Sequence, residues 1–165
     1  MATNEGSESA NVDICQINVG QGEVYDKKCT FCKVVNNEMG TEILHVDEEV
    51  SCFRDIKSGL CHFKVVCVCA RVCVLEKMVE IGMEILQKNN VLDLSDVRFG
   101  FHWPPFCSVS HLHLHVLAPA SQMGFMSRLF YRPNSYWFVT ADQLIQQLNF
   151  KVDQLSGGLQ SGLVQ

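Results

Sequence analysis

Positive charge is scarce in this sequence. Thirteen lysines and arginines stand against 18 acidic residues, for a net charge of −5. There is no basic patch of the kind that binds nucleic acid by neutralising phosphates, so DNA and RNA are not expected partners. A single nucleotide is not excluded, because backbone amides and a few polar groups suffice to hold one phosphate. No run is long and apolar enough to span a bilayer, so a membrane partner is not expected either. Met1 to Gly20 has neither a basic start nor a long apolar stretch and does not read as a signal peptide. These absences lead to the expectation of a cytoplasmic protein, with the nucleus as a further location, where thiols stay reduced. No internal repeat is visible.

Cysteine, by contrast, is plentiful. There are nine, an odd number that argues against a tidy disulfide framework. Most read as buried small apolar residues. A chain of 165 residues, 47% hydrophobic and 19% charged, is expected to form one soluble domain around one sizeable core. Residues 1–25 are rich in Asn, Glu, Ser, Gly and Gln and read as a disordered tail. Residues 26–150 carry the domain, and the Gly-, Ser- and Gln-rich residues 151–165 read as a loose tail.

The most informative stretch is Ser108-Val109-Ser110-His111-Leu112-His113-Leu114-His115-Val116-Leu117. Strict alternation of histidine with apolar residues predicts a strand, because successive side chains point to opposite faces. His111, His113 and His115 then share one face, about 7 Å apart, while Leu112, Leu114 and Val116 enter a core. Imidazole serves as nucleophile, general acid or base, and metal ligand near neutral pH. The spacing alone leaves three readings open: a catalytic face, an H-x-H zinc site, and a histidine-bearing face with no chemistry.

His111 to Leu117 resembles, without a gap, the signature of the histidine triad superfamily of nucleotide hydrolases and transferases. Phe101 to Cys107 before it, and Ala118-Pro119 and Asn134 to Phe138 after it, resemble a vertebrate branch of that superfamily. The resemblance runs from about Cys29 to Leu148. It implies an α+β fold of the histidine triad type, with an antiparallel sheet of about five strands and helices packed on it. It implies hydrolysis of an adenosine phosphoramidate with an AMP-type purine nucleotide as the bound group. His113 would attack the α-phosphorus, His111 and His115 would flank the phosphate as donors, and Ser108 would lie near the leaving group. No cofactor is required by this chemistry. Asp55 would accept from the ribose hydroxyls, with Ile56 beside the base, Phe31 and Val34 as apolar walls for a purine, and Leu114 within the nucleotide site. Some relatives carry zinc on a Cys-x-x-Cys pair. Here Cys29 and Cys32, with His62 and His111, are the candidate ligands, and two packed thiols at a helix start are the alternative. Two further readings are a zinc-binding regulator and a catalytically impaired nucleotide binder.

The remaining elements follow from local pattern. Phe31 to Asn37 reads as a helix. Thr41–Val46 and Val50–Arg54 read as strands around a turn at Asp47-Glu48-Glu49. Residues 57–73 depart from the superfamily pattern: there is no proline before Pro104, and the usual Pro-Lys-x-His end is missing. Displacement of the strand in this stretch is an open expectation. Cys67 to Cys73 reads as a β-branched strand running into a helix, with a soft-metal site as the alternative. Val74 to Asn89 carries Leu75, Met78, Val79, Gly82, Ile85 and Leu86 at helical spacing. Val97 to Phe101 alternates as a strand. Thr140-Ala141-Asp142-Gln143 is a capping box that should open a short helix burying Leu144, Ile145 and Leu148. Exposed Tyr136 and Trp137 fit either a homodimer interface or intrachain packing.

Overall fold

Six strands form one antiparallel sheet in the order β1 (Ile43–Val46), β2 (Val50–Arg54), β3 (Phe63–Cys69), β5 (His113–Ala118), β4 (Arg98–His102) and β6 (Phe138–Thr140). The structure is a computed structural model that describes residues 27–55, 63–69, 75–107, 109 and 111–158. The sixth strand, beyond the five expected, is the three-residue β6, which pairs His102 with Phe138. Among the described residues no helix is long and apolar enough to cross a membrane.

The turn between β1 and β2 sits where the acidic triplet predicts it. Asp47 accepts from the amides of Glu49 and Val50, each at 2.8 Å, which closes the turn through the side chain. These bonds, with help from His45 and Lys77, hold the Asp47 carboxyl far below its ordinary range.

The atypical stretch does form a strand, and a central one. β3 pairs with β2 from Arg54↔Val65 to Val50↔Cys69 and with β5 from Phe63↔Ala118 to Val68↔His113. Its Val65, Val66 and Cys67 are fully buried, so the β-branched run supplies the apolar surface that an inner strand needs. Register sets Cys52 of β2 directly opposite Cys67, with Cα atoms 4.1 Å apart, and a disulfide joins them. Nothing in the spacing of nine cysteines singled out this pair. The bond also occupies Cys67, which takes its thiol out of the soft-metal alternative. Cys73 itself lies outside the described residues.

One face of the sheet is covered by α2 (Leu75–Lys88) and α4 (Ala141–Gly158). Leu75, Met78, Ile85 and Leu86 from α2 and Leu144 from α4 meet Val65, Leu114 and Val116 in the main core. The capping box forms as predicted: the Thr140 amide donates to Gln143 at 3.2 Å, and the Gln143 amide returns to the Thr140 hydroxyl at 3.4 Å. The helix it opens continues past Leu148 to Gly158, so residues 151–158 are helical rather than loose.

The other face carries two smaller clusters, one at each end. α1 (Thr30–Val35) sets Val34 against Phe53 and Val66. α3 (Phe125–Phe130) leads into Tyr131, which packs with Leu117, Met123 and Phe138. By strand alternation His113 and His115 emerge on this second face, between the two clusters.

Candidate active site

A cleft of about 470 Å³ opens between these clusters, and His113 and His115 lie in its wall beside Phe31, Asp55, Lys64 and Tyr131. That volume suits a small ligand. The triad does not lie on one regular strand. The ladder with β3 ends at His113, so His111 precedes the strand and its ring turns toward α1. His111 Nδ1 stands 3.1 Å from Cys29 Sγ and 3.8 Å from Cys32 Sγ.

His113 is the histidine prepared for nucleophilic chemistry. Its Nδ1 lies 2.8 Å from the carbonyl oxygen of His111. A carbonyl only accepts, so Nδ1 carries the proton and Nε2 keeps its lone pair. Burial pushes the His113 pKa below its ordinary value, and the cation of Lys64 and the neighbouring imidazoles act in the same direction. The carbonyl bond opposes them without reversing the shift. The ring is wedged edge-on against Phe31, with centroids 4.9 Å apart, and against His115 at 4.7 Å.

His115 is as buried as His113, and burial holds its pKa well below the ordinary histidine value. Its Nε2 faces His102 Nδ1 at 3.0 Å. Its Nδ1 is buried with no hydrogen-bond partner among the described residues.

The remaining predicted residues divide. Phe31 and Val34 line the cleft, and Phe31 stacks edge-to-face on Phe53 at 5.4 Å. Asp55 lies in the cleft wall at the end of β2, ion-paired to Lys64 at 2.7 Å. Leu114 is fully buried in the core beneath α2 and does not line the cleft, because strand alternation turns it away from its histidine neighbours. Ser108, Ile56 and His62 lie outside the described residues. Trp137, offered as an interface residue, donates from Nε1 to the Leu129 carbonyl at 3.0 Å, which ties it to its own chain. Tyr136 is 83% exposed.

Three residues of the cleft escaped sequence reading. His102 ends β4, one position beyond the predicted strand. The alternation of Val97, Phe99 and Phe101 put residue 102 on the face opposite them, and the register that pairs Gly100 with His115 brings it to the third histidine. Gly100 itself makes this packing feasible. A Cβ there would stand 2.5 Å from the Phe138 ring and 2.6 Å from the Val139 carbonyl oxygen. Lys64 interrupts an apolar strand, a signal that went unused. Burial alone would push its ammonium pKa down, but its interactions with Tyr131 and Asp55 carry it above its ordinary value. Tyr131 had no local signal. Its ring lies 5.2 Å from the Lys64 ammonium.

Comparison with known proteins bears on the family and the fold. A family model described as "Scavenger mRNA decapping enzyme C-term binding" matches residues 70–131. The chain is 53% identical over 142 residues to the adenosine 5'-monophosphoramidase HINT3 of Xenopus tropicalis, covering 79% of this chain and 93% of that protein. Its identity to the mouse (Mus musculus) protein of the same name is 47% over 137 residues, covering 75% and 83% of the two chains. A crystal structure of a histidine triad protein from Clostridium difficile shares the fold at a TM-score of 0.50 and 18% identity, over 57% of this chain and 92% of that one. Fold, triad and relatives agree: the chain belongs to the histidine triad family, among its HINT3 members.

Proposed function

We propose that this chain hydrolyses the P–N bond of adenosine 5'-phosphoramidates through a nucleotidyl-histidine. The observation that carries this reading is the 2.8 Å bond from His113 Nδ1 to the His111 carbonyl, which leaves Nε2 as a neutral nucleophile in the wall of the cleft. The names of the relatives supply the substrate class. In the first step the Nε2 lone pair forms a bond to the α-phosphorus. The P–N bond breaks, its electron pair stays on nitrogen, and the amine departs with a proton. By its place in the family pattern, Ser108 delivers that proton. In the second step a water oxygen bonds to phosphorus, the His113–phosphorus bond breaks, and AMP leaves. The water proton returns to Ser108, which restores the enzyme. Dividing one hard displacement in two is the gain of covalent catalysis. Phe31 and Val34 wall the base, and Asp55 and Ile56 meet the ribose and base.

Hydrolysis of a fluorogenic adenosine phosphoramidate by the purified protein tests this. Turnover should fall by about a thousandfold or more in His113→Ala, as for loss of a nucleophile, while AMP still raises the melting temperature. A well-folded wild type without turnover, or an active His113→Ala, would refute the hydrolase reading.

A second proposal concerns zinc. Cys29 Sγ, Cys32 Sγ and a His111 ring nitrogen lie within 4.8 Å of one another, and thiolates with imidazole are the donor set of structural zinc. These three residues would hold the ion, with His62 as the expected fourth ligand. Bound zinc would supply a cross-link between α1 and the entry to the triad strand. Zinc-supplemented protein should retain one zinc per chain by mass spectrometry and lose thermal stability on chelation. Zinc-free protein from such a preparation would remove this proposal.

We also assign a homodimer contact to α3. Phe125 is 80% exposed, and Met126, Leu129 and Phe130 beside it are also exposed. Together they form an apolar patch of the kind that monomers avoid.

A further inference from the structure

His102 stands outside the triad motif, yet it makes the closest side-chain contact to the third histidine. Its Nε2 lies 3.1 Å from the carbonyl oxygen of Phe130, and its Nδ1 lies 3.0 Å from His115 Nε2. The carbonyl can only accept, so the proton of His102 sits on Nε2. Burial favours the neutral ring, which leaves Nδ1 as a bare acceptor. His115 must therefore donate from Nε2, and its own Nδ1 is the deprotonated nitrogen. The alternative, a proton on His115 Nδ1, would strand an N–H at a buried atom with no partner among the described residues. The chain of bonds thus has one direction, from His115 Nε2–H to His102 Nδ1 and from His102 Nε2–H to Phe130 O. The His102 ring is held from the sides by Tyr131 and Phe138, at centroid distances of 5.0 and 5.2 Å.

We propose that His102 is a positioning residue for the hydrolysis: it fixes the tautomer and orientation of His115, so that the third histidine stays neutral against His113 with its N–H on Nε2. The inference rests on the hydrolase reading above. His113 becomes a cationic phosphoimidazole when its Nε2 bonds to phosphorus, since Nδ1 keeps its proton. His115 sits edge-on to that ring at 4.7 Å. A protonated His115 would repel the forming cation. A neutral His115 whose N–H is given to an acceptor is instead polarised toward greater electron density.

Two substitutions separate the acceptor from the ring. His102→Asn offers a side-chain carbonyl oxygen near the place of Nδ1, while His102→Phe keeps the ring packing and removes the acceptor. With a fluorogenic adenosine phosphoramidate, His102→Phe should lose about tenfold or more in kcat with KM changed less than about threefold, and His102→Asn should recover most of that loss, the range seen for residues that orient a reactive group. Nitrogen-15 NMR of the imidazoles gives a readout independent of turnover. His115 should be the Nε2–H tautomer in the wild type and in His102→Asn, and should lose that single state in His102→Phe. Three results would overturn the proposal: wild-type kcat in His102→Phe, an Asn variant as impaired as the Phe variant, or a His115 protonated on Nδ1 in the wild type. The last measurement decides even if His102→Phe does not fold. A wild type that shows the expected tautomer but no turnover would fail the hydrolase reading and overturn the catalytic role assigned to His102 with it.

Discussion

Lys64 places a full cation beside the histidines of the cleft, and its charge is felt at His102, His113 and His115 alike. Its 2.7 Å contact with Asp55 ties it to the carboxylate assigned to the ribose. The α-phosphate of a nucleotide is the natural anion for such a group, and a charge-assisted hydrogen bond is the stronger kind. Lys64→Met should weaken AMP binding by about tenfold or more, in line with loss of one such bond, and leave adenosine binding nearly unchanged. Calorimetric titration of both ligands checks this. Equal losses for AMP and adenosine would mean that Lys64 acts through Asp55 on the ribose and not on the phosphate. At the same scale, His111 shows how one residue can leave its motif: the backbone carbonyl serves His113 while the ring serves the thiols of α1.

At the scale of elements, β3 and α3 carry the lessons. β3 was the strand most at risk on sequence grounds, since its flanks depart from the family pattern. It forms because Val65, Val66 and Cys67 bury their surface completely between β2 and β5. α3 has only six residues, and most of its apolar side chains face outward. If a second copy covers them, Phe125→Asp should convert a dimer to a monomer in sedimentation experiments without lowering the melting temperature of dilute protein. A monomeric wild type at tens of micromolar, a concentration at which interfaces of ordinary size are populated, would dismiss the assignment.

For the whole molecule, the histidine cluster sets a pH dependence of stability. His102, His113 and His115 all have pKa values lowered chiefly by burial. In the unfolded chain each titrates near its ordinary value of 6.5. Above that pH neither state binds the protons, and the native state keeps its full stability. Below it the unfolded chain takes up protons that the folded chain refuses, so stability falls as pH falls. Each such histidine contributes a slope of at most about 1.4 kcal/mol per pH unit. Urea unfolding at pH 7.5 and pH 5.5 should show a clear loss on acidification, and His115→Phe should reduce it. A loss of the same size in the variant would assign the effect to other groups.

Local pattern determined a good deal of this protein. Alternation placed His113 and His115 of β5 on one face and Leu114 and Val116 on the other, helical spacing marked the core stripe of α2, and Thr140 to Gln143 announced the start of α4. Those features depend on neighbours within a few residues, and so they are written in the order of the chain. The triad motif and its flanks carried the family in the same way. What tertiary structure decided has a different physical basis. That Cys52 meets Cys67 depends on the register of two strands, that His111 turns to Cys29 depends on the docking of α1, and that Lys64 pairs with Asp55 depends on which strand lies beside β3. That His102 faces His115 across β4 and β5 is of the same kind. Each of these contacts joins residues from different elements, at distances fixed only when the sheet has closed and the helices have packed on its two faces.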